Sequence, residues 1–447
     1  MSERVVTDEN GTLHGLDQRL GEGAQGAVWL TRNGRQIVKL FSRTRDREGL
    51  RRQIAFVKRL DVRDLHVARP LSLLRPPDVG YVAEFLSDMV PIRQLIAPPR
   101  GSPVERWYLD TGGLQRRLRL LAHAGEALAG LHARGLIYGD ISHNNVFVSG
   151  PAEATEAWLI DLDNLRYDSD LAGAIYTPGY GAPELVSGTR GPSSLSDAWS
   201  FAVLAFHTLT LIHPFCGDFV MEGEPELEED AFAARVPWVD HSTDERNRSS
   251  HGIARDQALG TQLHALARET FEDSVQDILK RPGVARWVER LHLAADQTVR
   301  CTSCQQSFFV TAQTCPWCNT ARPPLVSVRL HRWEPQRGIV EAMGTVARLP
   351  MAGEPVPLTR RHTRGESGIR ARAVELTLER RERGVLVRSH AAPIWVTPPG
   401  KAEVADAMPI SGRGRILPLE PPERSWVVHF DAVDTPHRVA VISGGAR

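Results

Sequence analysis

Four cysteines hold one short stretch of this 447-residue chain to a narrow choice of folds: Cys301 and Cys304 form a CxxC pair, ten residues intervene, and Cys315 and Cys318 form a second pair, CPWC. Each pair presents two thiolates on a tight turn. Two such turns facing each other complete a tetrahedral zinc site with no position left open for chemistry. The alternatives are two disulfides or redox-active CxxC pairs, and a reducing compartment disfavours disulfides. Phe308 and Phe309, between the pairs, are expected to pack the minimal core of such a ribbon. Cys216, the fifth cysteine, has no partner in sequence and reads as a buried apolar residue.

Other informative features lie upstream. GEGAQGAV, Gly21 to Val28, precedes a strand-like run. Glycines at Gly21, Gly23 and Gly26 let backbone N–H groups approach phosphate oxygens without a side-chain clash; alone, the pattern equally describes a hairpin turn. In QIVKL, alternating apolar residues imply a strand carrying Lys39, suited to phosphate contact, although an isolated strand lysine is ordinarily a solvated edge charge. YGDISHNNVFV places Asp140 five residues before Asn145 in a short polar loop, and WLIDLDN ends an apolar run at Asp161. IYTPGYGAPEL, SDAWSFAVLAFHTL and KRP follow in that order.

In this order the landmarks resemble those of the protein kinase family, over roughly residues 15 to 295. The chain is similar to bacterial eukaryotic-like serine/threonine kinases that carry a C-terminal zinc ribbon. The resemblance implies a two-lobed kinase fold that binds ATP and Mg2+ (or Mn2+). Gly21, Gly23, Gly26, Val28 and Lys39 would bind ATP, with Glu84 and Leu86 on the adenine hinge and Ala83 as a small gatekeeper. Asp140 would accept the proton of an attacking hydroxyl, and Asn145 and Asp161 would hold the metal. Thr177 would contact the catalytic loop, Asp197 would hold its backbone, and Arg281 would pair with Glu184.

Departures from the pattern carry information too. Tyr138 and Gly139 stand where the family has His-Arg, so no arginine there can clamp an activation-loop phosphate. Hydroxyls such as Tyr167, Ser169 and Thr189 are therefore expected to be dispensable. Ser142 replaces the lysine that neutralises the γ-phosphate, and Asp163 replaces the glycine of DFG. The partner of Lys39 is open between Glu48 and Gln53. His143 reads as a structural histidine of the loop. Ser142, Asp163 and the open Lys39 partner motivate one rival to an active serine/threonine kinase, an ATP-binding pseudokinase scaffold; a second rival, a small-molecule kinase, is disfavoured because such enzymes generally lack the TPGYGAPE segment.

The expected architecture is multidomain α+β. A kinase domain spans 1–295, with an N-lobe at about 12–86, a C-lobe at about 87–295 and a polar, solvated insertion at about 217–256. A zinc ribbon follows at 298–321, then a β-rich binding module at 325–447. Eight alternating apolar runs in the last segment suggest an all-β sandwich or barrel. Its arginine-rich stretch TRRHTRGESGIRAR suits capture of a phosphorylated or acidic segment, or is a solvated loop. Lys plus Arg and Asp plus Glu both number 54, so no global field points to nucleic acid or an anionic membrane. No apolar run is long enough for a leader or a span, which makes the cytoplasm the expected location. Resemblance to bacterial stress-linked kinases implies a metal-dependent phosphatase and a von Willebrand-type protein as partners, beside a protein substrate.

Overall fold

The computed structural model describes residues 4–23, 26–42, 46–168, 176–350, 355–391, 393–399, 406–410, 412–420 and 425–444. The chain forms two compact units. One comprises Met1–Ala97, His123–Gly252 and Ala267–Ala285; the other comprises Pro98–Ala122, Ile253–Leu266 and Arg286–Arg447.

The first unit begins with an antiparallel sheet of β1 (Val5–Thr7), β2 (Leu13–Gly23), β3 (Gly26–Thr31), β4 (Gln36–Phe41), β5 (Ser72–Leu73) and β6 (Gly80–Glu84), ordered β1-β2-β3-β4-β6-β5. Side chains alternate across β4, as a two-residue period demands. Val38 and Leu40 enter a cluster with Val6, Leu16, Leu74 and Val82. Ile37 and Phe41 pack on the opposite face with Ile54, Leu73, Tyr81 and Ala83. Lys39 shares that second face, and the register sets Val28 and Tyr81 on its two sides. Helix α1 (Arg47–Arg59) covers the same face with Ile54, Leu50 and Ala55; Asp46 caps it by accepting from the Gly49 N–H at 2.7 Å.

Deeper in this unit, the Ser194–Thr210 helix is apolar around nearly its whole circumference and is buried accordingly. Its first turn is closed by reciprocal bonds between Ser193 and Ser196. Trp199 and Phe206 from this helix meet Phe215, Trp238 and Phe271 in one aromatic cluster. Trp238 belongs to the 217–256 stretch, which is therefore not the solvated loop expected. Asn247, fully buried, donates to the carbonyls of Phe215 and Pro237 at 2.8 Å each, and Trp238 donates to Glu272. Two buried side chains pin a stretch whose charges dominate its composition.

In the second unit a short hairpin, Thr298–Arg300 with Ser307–Phe309, carries the cysteine turns. Its core is Val299, Cys301, Phe308, Val310 and Cys315. Phe309 faces elsewhere, against Gly260. The hairpin rests on two helices of the same unit. Trp317 stacks on Tyr108 with centroids 5.2 Å apart, and Gln306 donates to the Glu105 carbonyl at 2.9 Å. Gln115 reaches both Ser307 and Thr298 at 2.9 and 2.8 Å.

The C-terminal segment is a sandwich of a six-stranded and a four-stranded sheet. Val328, Leu330, Val428 and Ile442 of the larger sheet share one core with Leu358, Leu376, Val387 and Leu417 of the smaller. The arginine-rich stretch forms a short helix, Arg360–Thr363, and a 3-10 turn, Ile369–Arg372. Three of its five arginines meet carboxylates: Arg360 and Arg364 pair with Glu375, and Arg361 with Asp296.

Candidate functional site

Asp197, at the start of the Ser194–Thr210 helix, accepts from the backbone N–H groups of Tyr138 and Gly139 at 2.8 and 2.9 Å, and His132 lies 3.0 Å from the same carboxylate. A buried anion thus fixes the loop backbone just before Asp140. Gly139 adopts φ +86°, a conformation that favours glycine. The Tyr138 hydroxyl donates to the Ile160 carbonyl and so ties this loop to the Asp161 segment.

Asp140 is oriented on both sides. Its Oδ1 accepts from the Thr177 backbone N–H at 2.9 Å and from the Thr177 hydroxyl at 2.8 Å. Asn145 Nδ2 donates to the Asp140 carbonyl and to Asp140 Oδ2, both at 2.9 Å. Because the amide N–H groups of Asn145 are spent on Asp140, its amide oxygen is the atom left for a metal. Ser142 is fully buried, and the Asn145 backbone N–H donates to its carbonyl at 3.1 Å. His143 bonds the Tyr180 hydroxyl at 2.8 Å, and Ser200 donates to the Tyr180 carbonyl at 2.7 Å, a structural arrangement for all three. Glu184 and Arg281 form a two-pronged pair at 2.7 and 3.0 Å.

Lys39 lies buried between two carboxylates. Its Nζ is 2.5 Å from Asp161 Oδ1 and also donates to Asp163 Oδ2. Asp161 has φ +60°, a strained conformation for a residue other than glycine and one that recurs at functional sites. Burial and the neighbouring Asp161 charge push the Asp163 carboxyl up against the pull of Lys39, whereas Asp161, also desolvated, is held low by Lys39. Burial would depress Lys39, yet the two carboxylates raise it. Neither sequence candidate partners the lysine: Glu48 is exposed on the first turn of α1, and Gln53 donates to the Leu165 carbonyl at 2.6 Å. The sequence flagged Asp163 as a departure without revealing what it touches.

In the glycine segment, a Cβ on Gly26 would sit 2.0 Å from the Leu40 carbonyl oxygen, so that glycine serves strand approach. Gly21 and Gly23 have open space where a Cβ would be, as a phosphate cradle requires. Ala24, Gln25, Ser169 and Ile175 lie outside the described residues. In the segment expected to be the hinge, Ala83 is buried, Glu84 is exposed at the end of β6, and Leu86 is half-buried.

The four cysteine sulfurs all lie within 4.8 Å of one another. Cys301 and Cys318 are 3.5 Å apart, Cys304 and Cys315 3.6 Å, and none is bridged. Four sulfurs at about 2.3 Å from one tetrahedral ion would be about 3.8 Å apart, so the set fits zinc. Hydrogen bonding to Thr320 lowers the exposed Cys318 thiol to about 6, which favours a thiolate ligand. Cys216 is half-buried; burial raises its thiol to about 12, and it is 3.4 Å from His213.

The protein kinase domain family matches residues 16–281, more than half the chain. Serine/threonine-protein kinase pkn2 of Myxococcus xanthus is 34% identical over 130 residues, 27% of this chain and 15% of that protein. PkaB of Streptomyces coelicolor is 27% identical over 225 residues, 46% of this chain and 51% of its own length. PknA of Mycobacterium tuberculosis is 24% identical over 234 residues, 49% and 51% of the two chains. At most, the match spans about half the length of these three relatives, all of them serine/threonine kinases by name. This chain belongs to the protein kinase family.

Proposed function

We propose that this chain is an active serine/threonine protein kinase that uses ATP with Mg2+ or Mn2+. The observation that carries the reading is the bracing of Asp140 by Thr177 and Asn145, with Asp161 and Lys39 in the same unit. Asp140 orients the substrate hydroxyl and takes up its proton. Lys39 and the Gly21–Gly26 segment hold the phosphates, Val28 covers the adenine, and Glu84 and Leu86 present the hinge backbone to it. Asn145 and Asp161 are the ligands for the divalent cation, which when bound neutralises phosphate charge. Catalysis comes from positioning rather than from covalent chemistry.

Protein hydroxyls are favoured over a small-molecule acceptor because Thr177 and the Glu184–Arg281 pair hold the TPGYGAPE segment beside the catalytic loop. We assign a structural zinc to Cys301, Cys304, Cys315 and Cys318. The proposed parts are a kinase domain (1–295), a ribbon (298–321) and a β module (325–447) for recruitment. Among the described residues no helix is long and apolar enough to cross a membrane. The phosphatase and von Willebrand-type partners rest on the sequence resemblance alone.

The test is phosphosite mapping after incubation with magnesium-ATP, for the wild type and Asp140→Asn. Asp140→Asn should lose transfer by about 100-fold or more while retaining nucleotide affinity within severalfold. Wild-type protein that binds ATP and transfers nothing would favour the pseudokinase scaffold.

A further inference from the structure

We infer that Asp163 is the positioning residue for Lys39, supplying the fixed carboxylate that a protein kinase ordinarily draws from the helix corresponding to α1. The inference rests on the proposed kinase reading only in taking Lys39 as the phosphate-binding cation.

Three observations carry it. First, Asp163 contacts Lys39 Nζ directly from the position where the DFG pattern has glycine, and it is 9% exposed. Second, Tyr81, directly across from Lys39 in the β4–β6 register, is buried and lies close enough to the Asp163 carboxylate for that charge to add to burial in raising its hydroxyl's pKa. Third, α1 offers no anion to the lysine: Glu48 is exposed, and Gln53 binds the Leu165 carbonyl, two residues beyond Asp163. A neutral amide therefore couples α1 to the metal-ligand segment, and the charge pairing is made within that segment.

Asp161 cannot do this work alone. It is the residue assigned to the cation, and a carboxylate engaged there answers less of the lysine's charge. A buried ammonium stripped of its partner is costly, which is why a second, dedicated carboxylate is needed at this site. Asp163 meets that need without any movement of α1.

The experiment compares wild type, Asp163→Asn, Asp163→Gly, Gln53→Glu and the double variant Asp163→Gly/Gln53→Glu, each checked for folding by thermal melting. Two readouts are taken: kcat and KM for ATP, and labelling of Lys39 by acetic anhydride in metal- and nucleotide-free protein, quantified by mass spectrometry. Asp163→Asn, which keeps the shape, and Asp163→Gly should each lower kcat/KM by at least about tenfold. They should also make Lys39 severalfold more readily labelled. Gln53→Glu in the Asp163→Gly background should reverse much of both effects, because it restores a carboxylate from α1; in the wild type it should bring no gain.

Unchanged Lys39 labelling in Asp163→Asn would overturn the inference, as would a folded double variant no better than Asp163→Gly. A raised magnesium requirement with unchanged labelling would assign Asp163 to the metal instead. If the wild type transfers no phosphate but the labelling pattern holds, the kinase reading falls and the Lys39–Asp163 assignment stands.

Discussion

In the cleft, Lys39 meets a carboxylate 122 positions away and Asp140 meets a hydroxyl 37 positions on. In the ribbon, the sulfurs of Cys301 and Cys318 meet across only 17 positions, around a core of a few side chains. The cleft inherits its geometry from a large buried scaffold, exemplified by the Ser194–Thr210 helix that fixes Asp197. The cysteine hairpin has little apolar surface of its own, and under the zinc assignment proposed above it would take its geometry from the ion. Removing a functional group from the cleft should therefore cost chemistry and spare the fold, whereas removing one from the ribbon should cost the fold.

The largest effect should come from the ribbon. Zinc binding to such sites is worth on the order of 10 kcal/mol. Chelation or Cys315→Ser should release about one zinc per chain, expose 298–321 to protease and raise amide exchange in the Val104–Asp110 helix beneath Trp317. Metal analysis with limited proteolysis checks this, and a metal-free ribbon that stays protected would break the contrast.

A smaller effect is expected from Thr177→Ala, which removes a hydroxyl donor to a charged carboxylate and leaves the backbone donor in place. Such a bond contributes roughly 2 kcal/mol, or about thirtyfold in kcat, with KM for ATP and melting temperature nearly unchanged. Steady-state kinetics with Thr189→Ala as the control, which should keep most activity, measures it.

A comparable effect, on stability rather than on rate and confined to part of the pH range, is expected from the pair at Asp296. Burial would raise this carboxyl, but His362 and Arg361 outweigh it and bring it down to about 2. Burial also lowers His362, so Arg361 at 2.6 Å is the partner that remains charged at neutral pH. A depressed carboxylate stabilises the fold above its unfolded value of 3.8 and ceases to do so as pH falls from there through about 2. Asp296→Asn should thus cost roughly 2 kcal/mol near pH 7, and the gap to wild type should close below pH ~4. Denaturant titrations of both proteins at several pH values decide it.

What was legible in the sequence follows the same division. The paired CxxC turns are local, and their meeting needed no knowledge of the rest of the chain. The order of Gly21, Asp140, Asn145 and Asp161 matches a family pattern, and that order is what made the family legible. The partner of Lys39 was not, because no local period links β4 to a residue 124 positions on. Two strands of the sandwich, Val356–Thr359 and Met408–Ile410, also escaped notice; each is three or four residues long and contains a proline, too little for alternation to register. The burial of Trp238 and Asn247 was hidden by the charges around them.

The seating of the ribbon on Tyr108, Glu105 and Gln115 has a consequence for how such chains can be recombined. A crossover at residue 295 would separate the tail from the Pro98–Ala122 stretch that shares its compact unit. A chimaera joining this tail to another catalytic domain would need to carry that stretch along, or lose the surface on which Trp317 and Gln306 sit. The tail is portable only together with a piece drawn from the middle of its host.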